Sequence, residues 1–78
     1  MTNFNSVAKF DTKAEALEYL AMFDYRPIPV RNRWSNNSFG DNGEHMVGFA
    51  HIQAHDEYQG EKHVVTGYSV HTTEFVVE

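Results

Sequence analysis

Cysteine is absent from this chain, which excludes disulfide staples, thiolate metal ligands and cysteine nucleophiles and fits a reducing compartment. Positive charge is scarce. Six Lys and Arg stand against eleven Asp and Glu, for a net charge of −5. That balance disfavours nucleic acid as a partner, because phosphate affinity comes from clustered Lys and Arg. A neutral or basic protein surface is expected instead. No run approaches the roughly 18 apolar residues of a membrane span, and Met1 to Asn5 lacks the basic-then-apolar order of an export signal. A cytoplasmic protein without a membrane partner is the expectation. Phosphate-loop, His-Glu-x-x-His and EF-hand patterns are also missing. With a nucleophile, base and oxyanion donor equally hard to assemble, the sequence reads as non-enzymatic.

At 78 residues the chain is expected to be one small α+β domain over residues 1–78, near the size at which a single core suffices. Residues 3–10 alternate in the manner of a half-buried strand whose Phe4 and Phe10 side faces the core. Thr12-Lys13-Ala14-Glu15 is a capping box, and the helix that follows carries Ala14, Leu17, Leu20 and Ala21 as one apolar stripe. Pro27 and Pro29 stop it near Phe23 or Asp24. A strand is predicted from Ile28 to Trp34, then a loop from Ser35 to Gly43, dense in Asn, Ser and Gly. Two long strands, Glu44 to Asp56 and His63 to Val77, complete the order β-α-β-β-β. One helix is then expected on one face of a mainly antiparallel four-stranded sheet.

The five histidines, His45, His51, His55, His63 and His71, all occupy odd positions in the C-terminal strand pair. Side chains of a strand alternate faces, so a shared parity can put all five on one side. A three-residue loop at Tyr58-Gln59-Gly60 would do this and would set His55 opposite His63. A two-residue loop on Gln59-Gly60 would slip the register and split them. Cross-strand β-carbons lie about 5 Å apart, which makes His55 and His63 a candidate pair for zinc or nickel, with Asp56 or Glu57 as a third ligand. The plainer reading is a polar sheet face. Ser69, His71 and Glu74 can be assembled on paper as a triad, but two positions along a strand are about 7 Å apart. Val47, Phe49, Val65 and Phe75 share the histidine face in the preferred register, more apolar residues than a solvated face needs. Trp34 beside Arg31 and Arg33 has the composition of a binding hot spot, and equally that of a core Trp flanked by paired arginines.

Phe10-Asp11-Thr12-Lys13-Ala14-Glu15-Ala16-Leu17-Glu18-Tyr19-Leu20, a strand end running into a capped helix ahead of a β-meander, resembles many short accessory proteins of phages and mobile elements. Some of these inhibit host enzymes or defence systems by stoichiometric binding. The resemblance covers about the first 25 residues and carries no functional residue with it. The expected function is therefore a protein-binding module. Its contact residues would be Val47, Phe49, His51, His55, His63, Phe75, Trp34 and Phe39, the last in the 35–43 loop. Two alternatives stand beside it: a homodimer closed through the same face, and a metal- or pH-responsive protein working through His55 and His63.

Overall fold

A computed structural model describes residues 3–40 and 42–77. The α+β class holds, with one helix and a wholly antiparallel sheet, but the sheet has five strands where four were expected. In chain order the elements are β1 (Asn3–Phe10), α1 (Lys13–Met22), β2 (Arg26–Pro27), β3 (Trp34–Phe39), β4 (His45–Gln59) and β5 (Lys62–Val77). Their spatial order is β1-β5-β4-β3-β2, so the first strand closes one edge beside the last.

Helix α1 begins as its capping residues dictate: the Thr12 hydroxyl accepts the Glu15 amide at 3.2 Å. The Glu15 carboxylate returns to the Thr12 hydroxyl, at 2.9 Å, instead of its backbone amide. The helix ends in a Schellman motif, with the Tyr25 amide donating to the Leu20 carbonyl at 2.9 Å and the Asp24 amide to Ala21 at 3.1 Å. Asp24 takes the left-handed position there, φ 60°, where glycine is usual. The turn folds Tyr25 back beside Leu20, and both join the core with Ala16, Ala50, Ile52 and Val70. The buried stripe is thus Ala16 and Leu20. Leu17 remains 41% exposed, so the expected stripe through Ala14, Leu17 and Ala21 is rotated from the face that packs. Phe10 packs against the core, whereas Phe4, further along β1, is half exposed because the helix does not reach it.

The middle of the chain departs most from expectation. Residues 28–33, expected as a strand, form a tight loop in which the Ile28 amide donates to the Arg33 carbonyl and Asn32 adopts φ 59°. Pro29 can supply no ladder hydrogen bond, which favours a turn over a strand here. The expected 35–43 loop is mostly β3: Trp34 to Phe39 pairs with Ala50 to His45. Pairing with a long neighbour overrides the weak strand propensity of Ser and Asn. What remains of the loop is a turn in which the Gly40 amide donates to Glu44 and the Gly43 amide to Gly40. Asp41, in the middle of that expected loop, lies outside the described residues. Beyond the end of β3, the Asn32 side chain stands in for a missing strand, accepting the Ile52 amide at 3.2 Å and donating to the Ile52 carbonyl at 2.8 Å.

The β4–β5 hairpin turns at Gly60 and Glu61, between the pair Gln59 and Lys62, one position later than either expected loop. Gly60 supplies the positive φ, 69°, that a two-residue turn requires. In that register odd residues would face even ones along the whole hairpin. A bulge corrects it: His55 pairs with Gly67 and Asp56 with Val65, leaving Thr66 as the extra residue. From the bulge to the far end, odd positions again face odd positions. Past Tyr68, where β1 stops, and Ala50, where β3 stops, the hairpin runs on as a two-stranded arm. The molecule accordingly measures 53 × 21 × 20 Å.

Candidate functional site: the open sheet face

Helix α1 covers the even-numbered side of β4 and β5, where Ala50, Ile52 and Val70 are buried. The odd-numbered side has no covering element among the described residues. Pairing places on it Val7 and Lys9 of β1, His71, Thr73 and Phe75 of β5, Val47, Phe49, His51 and His55 of β4, and Ser35, Asn37 and Phe39 of β3. Large apolar groups stand there with little shelter. Phe39 is 77% exposed, Val7 56%, Val77 46% and Phe49 45%. Phe49 and Phe75 meet edge to face with ring centroids 6.1 Å apart, and Phe39 stacks on His45 at 5.6 Å.

Four of the five histidines share this face, since the bulge restores their parity above the arm. His63 is the exception. It lies below the bulge, pairs with Tyr58 on the opposite side and contacts the Asp56 carboxylate, both side chains about half exposed. The expected His55–His63 pair is therefore corrected: His55 faces Gly67, and the two rings stand on different sides of the sheet. The geometric basis for a zinc or nickel site at those two residues goes with it. Among the described residues no three His, Cys, Asp or Glu side chains are grouped to hold a metal ion. Val65, expected with the histidines, changes sides for the same reason.

Two imidazoles instead meet at one hydroxyl, and a third stacks on one of them. His51 and His71 are directly paired, their rings parallel within 4° and 4.8 Å apart. Ser69 Oγ lies 2.8 Å from His55 Nε2 and 2.8 Å from His71 Nε2. A hydroxyl has one donor and two acceptor sites, enough to serve both nitrogens. The backbone spacing that argued against a Ser69–His71 contact is overcome by the reach of the imidazole. Ser69 is 0% exposed, however, so no substrate can approach its oxygen. Burial, then the neighbouring His71 and Arg33, holds the His51 pKa below its ordinary value, which favours a neutral ring.

No family model, curated protein or solved structure matches this chain significantly. Its reading rests on its own geometry.

Trp34 stands on the helix-covered side and packs, partly buried, against the core, so the structure places it away from the open face. Val47, Phe49, His51, His55, Phe75 and Phe39 come together as expected from their parity or position. Val7 and Ser69 were not singled out as members of this face. Val7 was legible as the residue opposite in parity to Phe10, but its neighbours depend on β1 joining β5, which no local signal specifies. Charge on the face is uneven. Among its paired positions the cations are Lys9, Arg26 and Lys62, and the carboxylate is Glu57, the last two near the hairpin tip. The acidity of the chain therefore lies elsewhere, and no helix of the described residues is long and apolar enough to cross a membrane.

Proposed function

We propose that this chain is a non-enzymatic protein-binding module whose open sheet face is the contact surface. The observation that carries the reading is the row of half-exposed apolar side chains, Val7, Phe49, Phe39 and Val77, on a face that no other element covers among the described residues. Fixed imidazoles and a pre-packed Phe49–Phe75 pair lower the entropy lost on docking. The partner is a protein surface that is apolar at its centre and acidic at its rim. Lys9 and Arg26 flank the face and carboxylates are nearly absent from it, so an acidic rim finds charge partners that a second copy of this face would not supply. This replaces the neutral or basic partner inferred from net charge alone. Stoichiometric binding of this kind agrees with an accessory or inhibitor role.

The test joins two measurements. Sedimentation velocity of the purified chain at micromolar concentration is expected to give a monomer; a dimer dispersed by Phe49→Glu would assign the face to self-association instead. A protein captured from the native lysate is then purified and remixed with wild type and with Phe49→Glu. A one-to-one complex lost in Phe49→Glu, and kept in a Glu18→Ala control on the helix, supports the assignment. A complex indifferent to Phe49→Glu removes it.

A further inference from the structure

The helix-covered side of the sheet also holds a cleft of about 400 Å³, lined by the first turns of α1, the 28–33 loop and the strands at the root of the hairpin arm. That volume is in the usual range of small-molecule sites. Leu17 of the helix, Trp34 of β3, Ile52 and Ala54 of β4 and Tyr68 of β5 supply its apolar surface. Ala54 is exposed, and its single methyl group leaves open the space beside the buried Ile52. Leu17, 41% exposed because the packed stripe of the helix runs through Ala16 and Leu20, gives the cleft an apolar wall that the core does not use.

The polar groups of this lining favour negative charge. Lys13 and Arg31 offer only hydrogen-bond donors, as does the indole N–H of Trp34, and the Tyr68 hydroxyl can donate as well. Asn32 also lines the cleft, but its amide is already engaged with both backbone groups of Ile52. Eleven carboxylates are spread through the chain, yet among the described residues none lines this cleft and none pairs with Lys13 or Arg31. Two of the six Lys and Arg residues therefore border one cleft with their charge unmatched. The Asn32 bonds to Ile52, and the Ile28 amide bonded to the Arg33 carbonyl at 3.2 Å, hold the loop that carries Arg31 against β4. Lys13 is the first residue of α1, at the positive end of the helix. That end favours acidic side chains, so a lysine there adds nothing to the stability of the helix itself.

We propose that this cleft binds an organic carboxylate, its charge toward Lys13 and Arg31 and its apolar body against Leu17, Ile52 and Trp34. The guanidinium of Arg31 matches a carboxylate with two parallel donors. A single carboxylate answers the local cations, whereas a polyanion such as nucleic acid meets the repulsion of a chain with net charge −5. The carboxylate belongs either to a free aryl or alkyl acid or to the C-terminus of a peptide ending in an apolar residue, and the chemistry at the cleft is the same. The site lies across the sheet from the protein-binding face and does not depend on it.

The experiment is an NMR titration of the whole chain that follows the indole N–H of Trp34, the single tryptophan. The probes are 3-phenylpropionate, Nα-acetyl-phenylalanine, 3-phenylpropanol and acetate. Saturable shifts with 3-phenylpropionate are expected, at a dissociation constant on the order of 1 mM. Binding of Nα-acetyl-phenylalanine as well identifies a peptide C-terminus as an acceptable source, and its exclusion identifies a free acid. Arg31→Gln is expected to weaken 3-phenylpropionate about tenfold, the loss of one charge-assisted contact. Lys13→Gln should weaken it too while leaving the unfolding midpoint unchanged or raised, which separates a binding role from a structural one. Ala54→Leu, which fills the cleft at an exposed position, should abolish the shifts, and Phe49→Ala on the opposite face should leave them unchanged. The proposal is overturned if 3-phenylpropanol or acetate binds as tightly as 3-phenylpropionate, if the shifts do not saturate, or if Arg31→Gln and Lys13→Gln both bind like wild type.

Discussion

Along β4 and β5 the even-numbered Ala50, Ile52 and Val70 are nearly inaccessible beneath α1, while the odd-numbered Phe49 and Val77, one pleat away, stand about half exposed. Both faces are apolar, so hydrophobicity alone does not decide which becomes the core. Side-chain size and approach do. Gly48 and Ala50 keep one face low enough for the Leu20 and Tyr25 side chains to close on it, and Leu20 at 1% exposure contributes about 2 kcal/mol by burial. Phe49, Phe75 and the stacked imidazoles raise the other face, where no segment of the described chain descends on them. One face is finished by folding and the other is left open to solvent.

The sharpest way to break this comparison is to truncate one large residue on each side. Leu20→Ala is expected to cost about 2–5 kcal/mol, the range for opening a cavity in a packed core, read as a lower urea midpoint with an unchanged slope. Phe49→Ala should cost less than about 1 kcal/mol, because much of its surface is already in water. Equal losses would mean that the open face stabilises the isolated chain as much as the core does, and the distinction would fall.

A second change sharpens the covered side through its helix end. Asp24 holds a left-handed conformation that a non-glycine residue adopts at a cost, and it sets a carboxylate at the negative end of the helix. Asp24→Gly is expected to stabilise by about 1 kcal/mol, seen as a higher midpoint of thermal unfolding. Destabilisation instead would show that the Asp24 carboxylate has a partner that outweighs both costs.

Local chemistry was the legible part of this fold. Thr12 to Glu15 announced the helix start, and the prolines announced its end near Phe23 or Asp24. Long-range pairing was not legible. Trp34-Ser35-Asn36-Asn37-Ser38-Phe39 has the composition of a loop and becomes a strand only because β4 offers a free edge. The histidine parity survived by two shifts that compensate, a later turn at Gly60 and a bulge at Thr66, and neither has a residue signature strong enough to fix both. His63, caught between them, is the histidine whose side was misread.

The smallest effect separates the two faces by pH. His51 on the open face has its pKa held below the ordinary value of about 6.5, first by burial and then by His71 and Arg33. The unfolded chain therefore binds this proton more readily than the folded one. Its contribution to stability is intact above about 6.5 and is lost as the pH falls through the lower folded pKa. Carboxylates titrate at still lower pH, so the quantity to measure is the difference in unfolding free energy between wild type and His51→Gln at a series of pH values from about 8 to 5. Wild type is expected to weaken on acidification relative to His51→Gln, with the difference growing below about 6.5. The covered face has no described histidine against its core, so Leu20→Ala should shift stability by the same amount throughout this range. A constant difference between wild type and His51→Gln would show that the His51–His71 stack accepts a proton without strain, and the open face would then lack the pH dependence that the lowered pKa of its partly buried imidazole implies.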